Sequence, residues 1–299
     1  MLQSIRPKYR TVFAYLCIPL AVYVFAVFIP FATAFYYSFF DWRGGPNKDF
    51  SGIKNYAALI NDSVFWQSFV HNIYLVALSI AGQIGIAFIL VLFINSKLVK
   101  LKGIHRTFGF FPSTISAVSI GLLWKVIYDY RYGLINWFLG LIGSPAADTV
   151  WLNEPDKVMF LVSIPIIWQY IGYYMVILLA GISAINPEIF EVAEIDGANG
   201  FQRAIYIVLP LIKNTLLVCV TLCIAGNMRA FDHIFVMTSG GPGTSSMVMA
   251  IYGYTVSFVQ QNMGYGSTIS IGICVASLVV ILGSQQLITW LGRDKEADA

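Results

Sequence analysis

The sequence predicts an all-α integral membrane protein with six transmembrane helices, and three observations carry that expectation. The first is composition: of 299 residues, 58% are hydrophobic and only 11% are charged. A soluble domain carries about one quarter charged residues. The second is the apolar pattern. A helix crosses a bilayer with about 20 apolar residues, and six runs reach or approach that length. The third is the placement of Lys and Arg in the segments between those runs, which follows the positive-inside bias.

The first run, Thr11–Phe39, follows Arg6, Lys8 and Arg10 and stays uncharged as far as Phe40. That is too long for the apolar part of a cleaved signal, so it is expected to remain as a span. Asp41-Trp42-Arg43-Gly44-Gly45-Pro46 then opens a polar turn. The second run, Asn72–Asn95, ends at the basic cluster Lys97, Lys100, Lys102 and Arg106, and the third covers Thr107–Tyr128. Gly133 to Leu139 reads as a short interfacial helix with Trp137 at headgroup depth. Lys125 and Asp129, spaced i, i+4, read as a local ion pair. The fourth run is Val158–Ile185. The fifth, Leu211–Phe231, is the weakest, because Lys213 and Arg229 pinch it; both side chains are long enough to snorkel to opposite interfaces. Arg229 and Asp232 beyond it are expected to pair. Ser239-Gly240-Gly241-Pro242-Gly243 is a turn that no helix absorbs, and Gly266–Leu291 is the sixth run. With the N-terminus inside, eleven Lys and Arg fall in cytoplasmic segments and seven in outer ones. Six spans then leave both termini cytoplasmic, with residues 1–299 forming a single transmembrane domain and residues 186–210 a cytoplasmic loop.

Several chemistries are excluded. Cys17, Cys219, Cys223 and Cys274 lie inside apolar runs and form no disulfide framework or metal pattern. His71, His105 and His233 are scattered, so no metal site is expected. A net charge of +3 is too small to argue for nucleic acid. No Gly-rich phosphate loop ending in Gly-Lys-Ser/Thr is present, and no clustered catalytic side chains point to an enzyme. No Asp or Glu sits mid-span, as the ion coupling of a secondary transporter would require.

One stretch departs from the apolar background: Asn186-Pro187-Glu188-Ile189-Phe190-Glu191-Val192-Ala193-Glu194-Ile195-Asp196-Gly197-Ala198-Asn199-Gly200, continuing to Ile207-Val208-Leu209-Pro210. Asn186 is a good N-cap, Pro187 suits the first helical position, and Glu188 and Glu191 favour the positive end of the helix dipole. Gly197 and Gly200 are expected to end or bend this helix. Phe190, Ala193 and Gly197 share a face, narrow enough to enter a protein groove. Composition alone allows a plain acidic connector between spans. The order Glu191, Ala193, Asp196-Gly197-Ala198, then Leu209-Pro210, resembles the EAA loop of binding-protein-dependent ABC importer permeases. Val192 stands where that pattern has a second Ala.

The resemblance extends along the chain. Ser38-Phe39 with Asp41-Trp42, Gly52 with Asn55-Tyr56, Trp151-Leu152, and Phe231-Asp232 with Thr238 to Pro242 are similar to the carbohydrate-uptake branch. Within it they resemble the maltose-type F subunit and its glycerol-phosphate counterpart. The resemblance implies the MetI-like, type I importer fold in a bacterial or archaeal plasma membrane. It also implies a second permease, ABC ATPase subunits that bind ATP and Mg, and an extracellular sugar-binding protein, with no cofactor in this chain. By the same resemblance Phe190, Glu191, Ala193, Asp196, Gly197, Ala198, Leu209 and Pro210 couple to the ATPase, and Gly240, Gly241 and Pro242 face the binding protein. Sugars are read by hydrogen bonds and by stacking on aromatic rings, which directs attention to Tyr and amide side chains at mid-depth. Gln169, Tyr170 and Tyr173 lie close to one face of the fourth run, and Cys223, Gly226 and Asn227 lie on the fifth. By position all six match where the maltose-type subunit contacts its sugar. The tyrosines read equally as packing residues, and Asn227 as a bond between helices. An ABC permease for another solute class such as glycerol phosphate, or an ATPase-independent secondary transporter, remains the alternative, although a neutral, aromatic path argues against charged solutes and the lack of mid-span carboxylates against ion coupling.

Overall fold

The computed structural model describes residues 8–95 and 99–297, with side chains considered as far as Gln286. Arg6, Lys97, Asp298 and Ala299 lie outside the described residues. Long apolar helices dominate: α1 (Tyr9–Tyr37), α3 (Ser63–Asn95), α7 (Pro155–Ser183) and α13 (Met263–Ala297). Two further candidate spans are broken. Helix α4 (Lys102–Thr114) meets α5 (Ala117–Ile127) at 94°, and α9 (Gly200–Leu211) meets α10 (Lys213–Asn227) at 75°. Among the described residues four helices are therefore long and apolar enough to cross a membrane, or up to six if each bent pair counts as one span. Among the described residues the strands are two short ones, β1 (Phe40–Asp41) and β2 (Asp49–Phe50), so the all-α expectation holds. Short helices α2 (Lys54–Ile60), α6 (Leu134–Leu141), α8 (Pro187–Ile195), α11 (Asp232–Thr238) and α12 (Met249–Val259) complete the chain.

The third span was expected to be continuous and the fifth to begin at Leu211, where the second bend falls; both breaks have physical causes. Pro112 removes a backbone donor, and the Ser113 and Thr114 hydroxyls turn back to the carbonyls of Phe110 and Phe111, 2.7 and 2.8 Å away. Ile115 then takes an extended conformation before α5 restarts. In the fifth, Ile212 leaves helical geometry just after Pro210, and Lys213 begins α10. Apolarity alone cannot reveal such breaks, and Pro19 and Pro165 sit inside unbroken helices.

Contacts group the chain into two compact units. The first comprises Met1–Asp62 and Gly253–Gly272. In it the β1–β2 hairpin pairs Phe40 with Phe50 and Asp41 with Asp49. Asn55 Nδ2 donates to the carbonyls of Ser38 and Phe40 at 2.9 and 3.0 Å, and Thr268 Oγ1 donates to the Ser38 carbonyl at 3.1 Å. No residue of α1 is buried.

The second unit comprises Ser63–Tyr252 and Ile273–Ala299, with α7 at its centre. On one side Tyr174, Met175, Leu178 and Ile182 of α7 pack with Ala87 and Val91 of α3 and with Cys219 and Cys223 of α10. On the other, Val158, Val162 and Ile166 pack with Leu75, Ile234 and Val248. Small residues allow the close crossings, as in other membrane helix pairs. A Cβ on Gly172 would stand 1.9 Å from the Gly109 carbonyl oxygen of α4. The short helix expected from Gly133 to Leu139 forms as α6, with Trp137 exposed.

Candidate functional site

Helix α8 is closed at both ends by local bonds. Asn186 Oδ1 accepts from the Glu188 N–H at 3.1 Å. At the other end Gly197 adopts φ +75°, the Gly197 N–H bonds the Glu194 carbonyl, and the Ala198 N–H bonds the Ala193 carbonyl. This is a Schellman turn, and the left-handed position requires glycine. Gly200 does not extend the stop: Asn199 and Gln202 form a reciprocal capping box that starts α9. Glu194 and Arg203 approach to 3.9 Å between the two helices.

The outward face of α8 differs from the expected one. Phe190 is half-buried against the core of its own unit, and Ala193 is only 4% exposed. These two residues therefore turn inwards. The residues exposed on this helix include Glu188, Glu191, Val192 (57% exposed) and Ile195 (85% exposed). Ala193 does form part of a shallow hollow of about 410 Å³ with Asn186, Ile189, Val192, Asp196 and Ile207. Gly197 and Pro210 are exposed, Ala198 and Leu209 half-buried.

A second hollow, of about 350 Å³, opens where the two broken spans meet α7. It brings together Tyr170, Tyr173, Gly226 and Asn227 from the expected pathway. The other two expected residues stand behind its wall. Gln169 is 2% exposed and donates through Nε2 to the Ile115 carbonyl at 2.8 Å; its Oε1 faces His233 Nε2 at 2.5 Å. Cys223 is buried and reaches Gln83 Oε1 at 3.7 Å.

Asn227 lines the hollow, but its amide is committed to the protein. Its Oδ1 accepts from Ser79 Oγ at 3.0 Å, and its Nδ2 donates to the Cys223 carbonyl at 2.8 Å. Asn72 joins the same network, donating to the Asn227 carbonyl at 2.8 Å and accepting from the Met249 N–H at 2.9 Å. Buried polar groups in a low-dielectric interior require such partners. Asn227 therefore serves first as the bond between helices.

Tyr174, next to Tyr173 on α7, lines the hollow too, and sequence reasoning missed Gln83 and His233. Nothing in local spacing marks those two, because α3 and α11 bring them to α7 from distant positions. Arg229 and Asp232 also line the hollow and are not paired with one another: Arg229 Nε donates to the Ala225 carbonyl at 3.1 Å. A charge of each sign thus stands at the wall of a path expected to be neutral. Lys125 and Asp129 do not pair either. Helix α5 ends at Ile127, so the two are no longer one turn apart on a helix. Lys125 Nζ approaches the Val236 carbonyl at 3.5 Å, while Asp129 Oδ1 accepts the N–H groups of Arg131 and Tyr132 at 2.8 and 2.9 Å.

In the turn at 240–242, Gly240 is buried rather than presented, with φ +91° and Met247 close above it. Gly241 and Pro242 are half-buried. Ser246 Oγ, 2.8 Å from Thr238 Oγ1, donates to the Gly241 carbonyl at 2.7 Å. Ser239 and Gly243 form the exposed tip.

Comparison with known proteins adds to this geometry. Residues 84–293 match the family model described as binding-protein-dependent transport system inner membrane component. A probable ABC transporter permease protein of Pyrococcus horikoshii is 35% identical over 265 residues, 88% of this chain and 90% of that protein. The trehalose/maltose transport system permease protein of Thermococcus litoralis is 35% identical over 230 residues, 76% of this chain and 75% of its own length. The fold is similar to a chain in the crystal structure of a bacterial ABC transporter involved in the import of the acidic polysaccharide alginate. That match has a TM-score of 0.80 and 22% identity, covering 93% of this chain and 95% of the other.

Proposed function

The chain belongs to the family of binding-protein-dependent transport system inner membrane components. From that premise we propose that it forms half of the translocation pathway of an ATP-driven importer, for a sugar or oligosaccharide delivered by an extracellular binding protein. The observation that carries the substrate class is the hollow walled by Tyr170, Tyr173 and Tyr174. Ring faces stack on the apolar faces of a sugar, while phenolic and imidazole groups bond its hydroxyls. The sugar named for the Thermococcus litoralis relative supports the same class.

In this reading each bent pair is one span, giving six, with both termini in the cytoplasm. The hollow beside α8 and the exposed Val192, Ile195 and Glu191 dock a separate ATPase subunit, which binds ATP and Mg. Closure of paired ATPases would move α8 and α9 together and shift the permease pair between two access states. The half-buried turn at 240–242 supports the binding protein's docking surface through its exposed neighbours Ser239 and Gly243.

A second reading has one observation in its favour. Arg229 lines the hollow, and a fixed cation suits a solute with an anionic group, such as glycerol phosphate or an acidic saccharide. Uptake by the complete complex in proteoliposomes, using labelled trehalose, maltose, lactose and glycerol phosphate, tests both readings. ATP- and binding-protein-dependent uptake of a neutral sugar supports the first. Uptake of glycerol phosphate alone supports the second, and uptake that persists without the ATPase would sink both.

A further inference from the structure

The geometry points to His233 as a residue that reads a hydroxyl of the transported solute, with Gln169 behind it as a positioning residue; this rests on the sugar-import reading above. A backbone carbonyl can only accept a hydrogen bond, so the Ile115 carbonyl requires the amide nitrogen of Gln169. The amide oxygen of Gln169 is then left facing His233 Nε2. An oxygen acceptor there requires a hydrogen on Nε2, which in a neutral imidazole makes Nδ1 a lone-pair acceptor. The break in the third span thereby sets the tautomer of a side chain on a different helix.

His233 Nδ1 is open to the hollow. Among the described residues, the enclosed side-chain polar atoms without a partner are Ser68 Oγ and Arg106 Nε. Among the described residues His233 Nδ1 has no hydrogen-bond partner, and it is not one of these enclosed atoms, so it remains accessible beside the cavity that its residue lines. The neighbouring amide of Asn227 is spent on Ser79 and Cys223. The imidazole Nδ1 is therefore a neutral acceptor for a solute hydroxyl on this wall, beside the rings of Tyr170 and Tyr173 and apart from the Asp232 carboxylate. A site built to bond a hydroxyl rejects an analogue that lacks it.

The test uses the complete transporter in proteoliposomes, with trehalose, maltose and lactose as probes and the monodeoxy analogues of whichever is carried. Removing one particular hydroxyl is expected to raise the KM for uptake by wild type about tenfold, the size of one neutral hydrogen bond in a site. A Gln side chain reaches the position of Nε2, and an Asn side chain that of Nδ1. His233→Gln should therefore keep the contact with Gln169, raise KM for the parent sugar and abolish the discrimination, with maximal rate little changed. His233→Asn should retain the discrimination. Wild-type discrimination in His233→Gln, or identical loss in both variants, overturns the assignment. If His233→Gln does not assemble with its partners, Gln169→Met gives the same readout with the imidazole in place but its tautomer released. Reduced discrimination supports the proposal and unchanged discrimination overturns it. Should wild type carry no saccharide at all, the sugar reading falls first and this inference with it.

Discussion

Helix α8 and the wall of the Tyr173 hollow are both polar features in an apolar protein, and they are held in opposite ways. Around α8 the bonds join near neighbours: Asn186 to Glu188, Ala198 to Ala193, Asn199 to Gln202. In the hollow they join residues far apart in the chain, with 155 positions between Asn72 and Asn227 and 64 between Gln169 and His233. A segment closed by its own caps keeps its shape when it meets or leaves a partner, as a lever must. A wall assembled from α3, α7, α10 and α11 changes whenever those helices shift, and an alternating-access pathway needs that behaviour.

The two regions should therefore break differently, and their glycines give the largest contrast. Gly172→Val places a side chain into the backbone of α4, where a Cβ already meets the Gly109 oxygen at 1.9 Å. We expect a loss of at least about 3 kcal/mol and little folded protein, measured as yield and thermal unfolding in detergent. A Cβ on Gly197 meets nothing within 4 Å, so Gly197→Trp strains chiefly a left-handed φ of +75°, a cost of about 1–2 kcal/mol. It should insert and assemble normally yet lose most substrate-stimulated ATP hydrolysis, because the new side chain occupies the proposed ATPase face. Normal stimulation in that variant would remove α8 from the coupling path.

The next contrast lies within the hollow. Asn72→Ala strands the Met249 N–H and leaves the Asn227 carbonyl with the Ala230 N–H alone, and should cost about 2 kcal/mol. Tyr173→Ala removes a ring that faces open space. It should leave stability nearly unchanged and raise the KM for uptake about tenfold. Equal thermal shifts in the two variants would mean that Tyr173 is a packing residue after all.

How much of this was legible in the sequence follows the same division. The cap at Asn186, the stop at Gly197 and the short helix over 134–141 rest on rules that reach only a few residues, and the structure follows them. The outward face of α8 was misassigned because periodicity defines faces without saying which one is buried: Phe190 and Ala193 found partners in the core of their own unit. The breaks at Ile115 and Ile212 were hidden, since each bent pair taken together is still apolar enough to read as one span. Tyr170, Tyr173, Gly226 and Asn227 were found by resemblance and do share one hollow. Gln83 and His233 reach it only through packing between distant segments, for which one sequence holds no signal.

The smallest expected effect sharpens the comparison from the outer side. Asp129 was expected to join Lys125, a neighbour on a helix that in fact ends two residues earlier. Instead its carboxylate accepts the N–H groups of Tyr132 and Arg131, and these bonds hold its pKa below the usual value. A depressed folded pKa gives stability that is complete above the unfolded value of about 4 and is lost as pH falls through the folded one. Asp129 is fully exposed, so the effect is modest. Asp129→Asn keeps an acceptor for both N–H groups but no charge. The melting temperature of wild type should exceed that of the variant slightly at pH 7, and the gap should close on acidification below about pH 4. A gap that stays constant across that range would mean the turn is held by shape rather than charge. It would then behave as the Asn186 cap of α8 does, where a neutral side chain accepts the same kind of bond.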